Sequence, residues 1–173
     1  MKLRKYIYFG IMISLWVGCQ SCFQFRYSDK KQLKELKDIS GKYKIEIGTK
    51  KGEKREIHYT LVSSDTLNPL AVFIHGSPGS SSSFIHFGHD TTLLSKYNVL
   101  ILDRPGFGYS GFGIAEPSIE KQSDILRAVV NQFPYENKVL VGHSLGGPIV
   151  ARMSMDEPDI AKGLLIVAGS VSP

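Results

Sequence analysis

A serine lies between two glycines at Gly142-His143-Ser144-Leu145-Gly146, where one apolar run of the sequence ends and another begins. The run before it, Lys138–Val141, is β-like, and the residues after it have the pattern of a helix. A strand–turn–helix of the form G-x-S-x-G puts the serine hydroxyl on a sharp turn at the top of a sheet, and its glycines let strand and helix approach closely. The pattern predicts that Ser144 is a nucleophile. A glycine-rich turn without chemistry is the alternative interpretation.

A serine hydroxyl is a weak nucleophile unless a base takes its proton. After Ser144 the sequence contains no histidine, and its acids there lie at positions 156, 157 and 159, which we expect at the end of a helix, remote from the strand ends. His86 or His89 could substitute as the base. Because loss of the base removes about six decades of kcat in serine hydrolases, we expect this polypeptide to be nearly inactive by itself.

Short apolar runs alternate with stretches of helical periodicity over most of the chain. Such runs are typical of buried parallel strands, and their alternation with helices implies right-handed crossovers. Before them, two alternating segments joined by a glycine-containing loop predict a hairpin. We therefore expect an α/β fold, with a mostly parallel sheet of about six strands flanked by helices and an N-terminal hairpin. The predicted hairpin strands are Lys42–Ile47 and Glu56–Val62 with Gly48–Gly52 as turn material, the later strands are Leu70–Ile74, Val99–Leu102, Lys138–Val141 and Leu164–Ala168, and the helices extend to about Leu94, over Ser118–Phe133 and from Pro148 toward Met155.

Two further blocks of glycine and polar residues follow predicted strands. One is His75-Gly76-Ser77-Pro78-Gly79, and the other is Asp103-Arg104-Pro105-Gly106-Phe107-Gly108. Together with the serine block, and in this order, they resemble the α/β-hydrolase superfamily. The resemblance is to the branch that contains prolyl iminopeptidases, epoxide hydrolases and simple esterases, and it covers about Ile45 to Val171.

The resemblance implies a role for the residues around the serine. Ser144 would attack the substrate, and the backbone N–H groups of Leu145 and Ser77 would bind the developing oxyanion. Asp103 and Arg104 would fix a turn. The supporting residues that it implies are Gly142 and Gly146 in the elbow and His75 and Gly76 in the loop after the first parallel strand.

The family pattern places an acid and then a histidine after the serine, and here it departs from this sequence. His143 is next to Ser144 in the chain, but the resemblance implies that its side chain points away. The sequence stops soon after the sixth predicted strand, so we expect an incomplete α/β-hydrolase fold, from a truncated or split gene product. Leu164–Ala168 would then be an open apolar edge, which predicts self-association.

The N-terminus has the pattern of a targeting segment. Residues 1–5 are basic, and Tyr6–Val17 is apolar but too short for a span of about 20 residues. Cys19 then resembles the lipidated cysteine of a bacterial lipoprotein, although Trp16 stands where leucine is usual. We expect a signal over residues 1–18, a tether over 19–40, a truncated core over 41–173, and an envelope location at the outer membrane or periplasmic face. An ordinary secretion signal or an uncleaved anchor is the alternative.

Charge and composition exclude few functions but favour some. The formal net charge of +5 falls to +2 once Lys2, Arg4 and Lys5 of the predicted signal are removed. No basic stripe with interleaved aromatic residues is present, which argues against nucleic-acid binding. Cys19 and Cys22 form a C-x-x-C without a second pair, so a metal site is not expected, and the predicted chemistry needs no cofactor.

Two classes of function remain open from the sequence. The first is a lipid-anchored serine hydrolase that acts on a small-molecule ester or amide, present here as its N-terminal portion. The second is a non-catalytic envelope binding protein, or a gene remnant, that reuses the fold. The sequence does not distinguish an acyltransferase that uses the same serine from the serine hydrolase of the first class.

Overall fold

The computed structural model describes residues 5–14 and 25–169. Its centre is a six-stranded sheet in the order β1-β2-β4-β3-β5-β6. The first two strands form an antiparallel hairpin, β2 pairs antiparallel with β4, and β4, β3, β5 and β6 are mutually parallel neighbours. The strands are β1 Lys44–Gly52, β2 Arg55–Ser63, β3 Leu70–Ile74, β4 Asn98–Leu102, β5 Lys138–His143 and β6 Gly163–Val167.

Helices flank this sheet and join its parallel strands. The α-helices are α1 (residues 5–14), α2 Asp29–Glu35, α3 Thr91–Leu94, α4 Ile119–Val130 and α5 Gly146–Asp156, and 3-10 helices cover Lys37–Ile39 and Ser81–His89. The predicted fold class, a mostly parallel α/β sheet with an N-terminal hairpin, is confirmed. None of the helices in these two described ranges is long and apolar enough to cross a membrane.

Two apolar layers cover the sheet because strand side chains alternate between its faces. Val72 and Ile74 of β3 pack with α4 and α5 on one face, whereas Ala71 and Phe73 pack on the other face with the 3-10 helix Ser81–His89. The central strands β3 and β4 are buried along their whole length. This sandwich fixes the carboxyl ends of β3, β4 and β5 beside one another, and those ends carry the candidate site.

The hairpin is longer than predicted. Gly48–Gly52 was expected to be turn material, but it belongs to β1, where Lys50 pairs with Ile57 and Gly52 with Arg55. The reversal is confined to residues 53 and 54, and Glu53 takes a left-handed φ of 52° there. The glycines at positions 48 and 52 suggested a turn in the sequence, but the pairing between β1 and β2 continues through both of them.

The segment before the hairpin packs against the core rather than extending away from it. Leu36 is fully buried and Ile39 is 8% exposed, both in the layer that contains Phe73. Residues 29–39, predicted as part of a tether, therefore form part of the folded unit. Cys19 and the C-x-x-C lie outside the described residues, so the signal and lipidation stay predictions.

The helix expected up to about Leu94 is instead divided. Ser81–His89 is a 3-10 helix, and Asp90 then accepts hydrogen bonds from the N–H groups of Thr92 and Leu93 at 2.9 and 3.1 Å to begin α3. A side chain that caps a new helix satisfies orphan donors and separates the two turns. In contrast, α4 follows its prediction, with Ser118 as its N-cap.

Candidate active site

Ser144 lies on the turn between β5 and α5 in a backbone conformation that L-residues avoid. Its φ is 51°, in the left-handed region, which costs roughly 1–2 kcal/mol for a residue with a side chain. The turn is held because the N–H of Ser144 donates to the carbonyl of Val167 at 2.9 Å and the N–H of Gly147 donates to the carbonyl of Ser144 at 2.9 Å. The side chain is half-buried. Strain of this kind is concentrated at functional sites.

The two glycines of the elbow stand where no side chain fits. A Cβ on Gly146 would collide with the backbone oxygen of Ile74, and one on Gly142 would collide with the backbone oxygen of Gly146. The helix α5 thus rests directly on strands β3 and β5. This close approach is the packing that the sequence pattern predicted for Gly142 and Gly146.

The loop after β3 passes directly over the serine. A Cβ on Gly76 would lie 2.8 Å from the Cβ of Ser144, so only glycine fits at this crossing. Ser77 follows Gly76 and is exposed, and Leu145 on the other side of the serine is 38% exposed. The structure therefore brings together the predicted residues 76, 77, 144 and 145. Oxyanion binding by Ser77 and Leu145 stays a prediction.

Both ring nitrogens of His75 are hydrogen-bonded to backbone groups of the protein. It is 1% exposed, its Nδ1 donates to the carbonyl of Gly76 at 2.7 Å, and its Nε2 accepts from the N–H of Arg104 at 3.0 Å. These partners fix the neutral tautomer with the proton on Nδ1. Burial lowers the pKa of His75 to about 4, so the imidazole is uncharged at neutral pH. His75 holds the loop and has no free nitrogen with which to activate the serine.

Arg104 is a buried cation that reaches the same loop. Its Nη2 donates to the carbonyl of Gly76 at 3.1 Å, its Nη1 donates to Gln122 at 3.0 Å, and its guanidinium lies 4.3 Å from the ring centre of Phe107. Burial lowers its pKa to about 10. Two donors, from Arg104 and His75, therefore hold the Gly76 carbonyl. In a trans peptide the next N–H points the opposite way, so they also fix the direction of the Ser77 N–H.

Asp103 organises the turn after β4. Its Oδ1 accepts from the N–H of Ser81 at 2.6 Å and its Oδ2 accepts from the N–H of Tyr109 at 2.9 Å. The imidazole of His58 lies between Asp103 and Asp29, at 3.1 Å from each carboxylate. Burial opposes protonation of His58, but the hydrogen bond and charge of Asp103, with the charge of Asp29, outweigh it and raise its pKa. Sequence reasoning missed this bridge because its members are far apart in the chain.

No histidine activates the serine within residues 5–14 and 25–169. Ser144 forms no side-chain hydrogen bond there, and the ring of His143 turns toward Phe84, with 6.4 Å between ring centres. His86 instead packs against Phe87 at 4.1 Å, on the 3-10 helix. The described site can present a serine and backbone donors, and it still needs a base.

A cleft of about 410 Å³ opens beside the elbow. It is lined by Leu145, by Arg104, and by Phe107, Gly113 and Ala115 of the long loop after β4. A cleft of this size holds a small organic group. It lies at the carboxyl ends of the parallel strands, where ligands bind in open α/β sheets.

An open α/β sheet with a serine on a strained strand–helix turn is typical of the α/β-hydrolase class of proteins. The sequence model of the family described as alpha/beta hydrolase fold matches residues 69–173. This chain belongs to that α/β-hydrolase family.

Curated relatives match more than half of this chain. The chain is 30% identical over 117 residues to the sn-1-specific diacylglycerol lipase ABHD11 of Mus musculus, a match that covers 68% of this chain and 37% of that protein. It is 35% identical over 102 residues to the pimeloyl-(acyl-carrier protein) methyl ester esterase of Shewanella oneidensis, which covers 59% of this chain and 35% of the esterase. The chain therefore matches little more than a third of the length of these relatives.

Solved structures show the same fold. A bacterial membrane phospholipase A superposes with a TM-score of 0.66 at 22% identity, covering 96% of this chain and 52% of that one. The haloalkane dehalogenase DatA of Agrobacterium tumefaciens C58 superposes with a TM-score of 0.62 at 21% identity, covering 72% and 41%. At these identities the likeness establishes the fold alone.

Proposed function

We propose that this chain carries the nucleophile of a serine hydrolase that cleaves carboxylic esters through Ser144. The observation that carries the proposal is the strained φ of 51° at Ser144, with Gly76 packed against its side chain. A protein without chemistry at this position gains nothing from a left-handed serine. Family membership supports a hydrolase, and both curated relatives described above are named for lipase or ester hydrolysis.

The proposed reaction follows from the geometry around the serine. The Oγ of Ser144 attacks the ester carbonyl carbon as a base removes its proton, and the carbonyl oxygen becomes an oxyanion facing the N–H groups of Ser77 and Leu145. Each such donor contributes roughly 3–4 kcal/mol of barrier lowering in enzymes of known mechanism. Collapse breaks the bond to the alcohol, which takes the proton. Water then hydrolyses the acyl-enzyme by the same route.

The base is the missing component of this scheme. We propose that a histidine outside this sequence supplies it, since no histidine in the described residues is hydrogen-bonded to Ser144, His75 has both ring nitrogens bonded, and His58 lies between two carboxylates. The chain by itself then reacts slowly. Export by residues 1–18, lipidation at Cys19 and an envelope location are part of the same proposal, on the sequence pattern alone.

Imidazole rescue of a fluorophosphonate reaction tests this proposal. The full chain is incubated with the probe, with and without added imidazole, and labelling is read by intact mass and peptide mapping. We expect slow labelling at Ser144 that imidazole accelerates at least tenfold. The Ser144→Ala variant should not react. Ser95→Ala, at the exposed serine that ends α3, should react like the unsubstituted chain.

Failure of the labelling would favour the second function class. If imidazole leaves the full chain unlabelled while Ser144 is accessible, the hydrolase proposal is wrong. A non-catalytic envelope binding protein would then account better for the described site, which holds no base.

A further inference from the structure

The chain between residues 25 and 29 is tied to the loops that surround the candidate active site. The hydroxyl of Ser80 donates to the carbonyl of Phe25 at 2.7 Å, and the N–H of Tyr27 donates to the hydroxyl of Ser82 at 2.6 Å. Ser80 ends the loop that follows β3, and Ser82 is in the first turn of the 3-10 helix Ser81–His89. We call residues 25–29 the strap.

Arg26 ties the strap to the second loop of the site. Its Nη1 donates to the carbonyl of Gly108, and its guanidinium lies 4.0 Å above the ring of Tyr109. Asp29 closes the strap by pairing with His58 at 3.1 Å. The strap is therefore fixed on the face where β3, β4 and β5 end, the face that carries Ser144.

That face also exposes a set of large apolar side chains, which we call the rim. Tyr109 and Ile114 line one depression together with Lys54 and Arg55. Gly113 and Ala115, on either side of Ile114, share the cleft beside Leu145. The rim residues, with their exposed fractions, are Phe25 (52%), Tyr109 (38%), Ile114 (65%) and Leu145 (38%).

The strap follows closely on the apolar N-terminal run. The run ends at Val17, and residues 5–14 present large exposed apolar side chains. The ten residues from 15 to 24 span at most about 35 Å when fully extended. An N-terminus held in a bilayer would therefore keep the strap, and with it the face that bears Ser144, close to the same bilayer.

We propose that the rim rests on a membrane surface, so that the cleft beside Ser144 opens toward lipid and receives ester-bearing lipids from it. The bilayer is favoured over a protein partner because the strap begins eight residues after the apolar N-terminal run ends, and because Arg26 and Lys54 stand beside rim residues, with Glu56 in the same depression as Lys54. Aromatic and aliphatic side chains with flanking cations are the composition that binds interfaces. The choice of lipid esters rests on the proposed hydrolase function, whereas the orientation rests on the N-terminal membrane anchoring proposed with it and not on catalysis.

Fluorescence quenching by brominated phosphatidylcholine measures the orientation. The single tryptophan is removed by Trp16→Phe, and one new tryptophan is placed in the rim by Ile114→Trp. Its matched control is Leu67→Trp, at a side chain 91% exposed in the loop before β3, at the opposite end of the sheet. Each full chain is reconstituted into vesicles of phosphatidylcholine and phosphatidylglycerol. We expect at least threefold stronger quenching at position 114. Equal quenching, or stronger quenching at position 67, would overturn the proposal.

A second variant tests the strap itself. Arg26→Ala removes the contacts with Gly108 and Tyr109 without touching Ser144, and Lys30→Ala is its control at a nearby exposed cation. We expect Arg26→Ala to keep vesicle binding, while the difference in tryptophan quenching between positions 114 and 67 falls at least twofold. An unchanged difference would refute the orienting role of the strap. Quenching needs no turnover, so its outcome is separate from that of the Ser144 labelling.

Discussion

Ser144 holds a left-handed backbone that a glycine would adopt without cost. The surrounding structure imposes it, since the backbone of Ser144 is bonded to Val167 and Gly147 and its side chain abuts Gly76. Such strain persists only where tertiary contacts over-determine the conformation. At the scale of the residue, the backbone of Ser144 therefore carries a measurable strain energy at the residue proposed to react.

Removing the side chain at this position should stabilise the protein. We expect Ser144→Gly to raise the free energy of unfolding by about 1 kcal/mol relative to Ser144→Ala, because only glycine relieves the left-handed strain. Urea unfolding measures the difference. Glu53, in the hairpin turn, also has a left-handed φ, so Glu53→Gly should exceed Glu53→Ala in free energy of unfolding by a similar amount. A Ser144→Gly variant less stable than Ser144→Ala would contradict the strain.

His75 predicts a pH dependence of stability. Its pKa is about 4 in the folded protein because of burial, against roughly 6.5 in an unfolded chain, so the unfolded state takes up the proton first as the pH falls. Stability from this group is complete above about pH 6.5 and is lost down to pH 4. The neighbouring charges of Asp103 and Arg104 act in opposite directions on it.

A neutral substitution isolates this contribution. We expect the stability difference between the unsubstituted chain and His75→Gln to shrink by about 2 kcal/mol between pH 7.5 and pH 5, at roughly 1.4 kcal/mol per pH unit. Urea unfolding at both pH values checks it. A difference that stays constant with pH would show that His75 titrates normally in the folded state.

At the scale of the element, the contact of α5 with β3 and β5 requires glycine, which has no side chain, at the contact positions. We expect Gly146→Ala to lower the free energy of unfolding by at least about 2 kcal/mol, because the new methyl group meets the backbone of Ile74 and cannot be accommodated by a rotamer change. Gly41→Ala, where nothing lies within 4 Å, is the control and should change stability by less than about 0.5 kcal/mol. Thermal or urea unfolding distinguishes them.

The elements that sequence predicted well are those whose signal is local. Buried strands such as Leu70–Ile74 are continuous apolar runs, and α4 has both its apolar stripe and its Ser118 cap in the sequence. The packing of the residues that follow α2 was missed because Leu36 and Ile39 are isolated apolar residues in a polar stretch. Long-range pairing also extended β1 through glycines that locally suggested a turn.

The candidate site divides along the same line. The serine block and its glycines are contiguous in sequence, so a strand, a turn and a helix could be predicted there, but β5 continues to His143 and α5 begins at Gly146 instead of near Pro148. The bond from Arg104 to Gly76 and the pairing of His58 with Asp29 each join residues about 28 or 29 positions apart. No spacing rule connects such residues, because the fold alone brings them together.

At the scale of the whole molecule, β6 leaves an apolar edge on the described sheet. It is the terminal strand in the order, and Leu164, Leu165 and Val167 are 45%, 52% and 44% exposed. Unpaired strand edges with apolar side chains bind other chains. Self-association stays a prediction, and this surface is the place where it would occur.

Charged substitutions on this strand test the association. We expect Leu165→Lys combined with Val167→Lys to shift the chain toward monomer in sedimentation velocity, because buried lysine ammonium groups oppose pairing. Leu67→Lys, at an exposed side chain in the loop before β3 and away from the β6 edge, should leave the distribution unchanged. A full chain that is already monomeric at high micromolar concentration would contradict the prediction.

The folded unit begins close to Cys19, so few residues of chain connect the two. Only five residues lie between Cys19 and Phe25, whose carbonyl is already bonded to Ser80. A peptidase or an acyl-transferring enzyme needs several extended residues on each side of its target. If Cys19 is lipidated as proposed, we therefore expect that maturation to come before the chain docks from residue 25 onward.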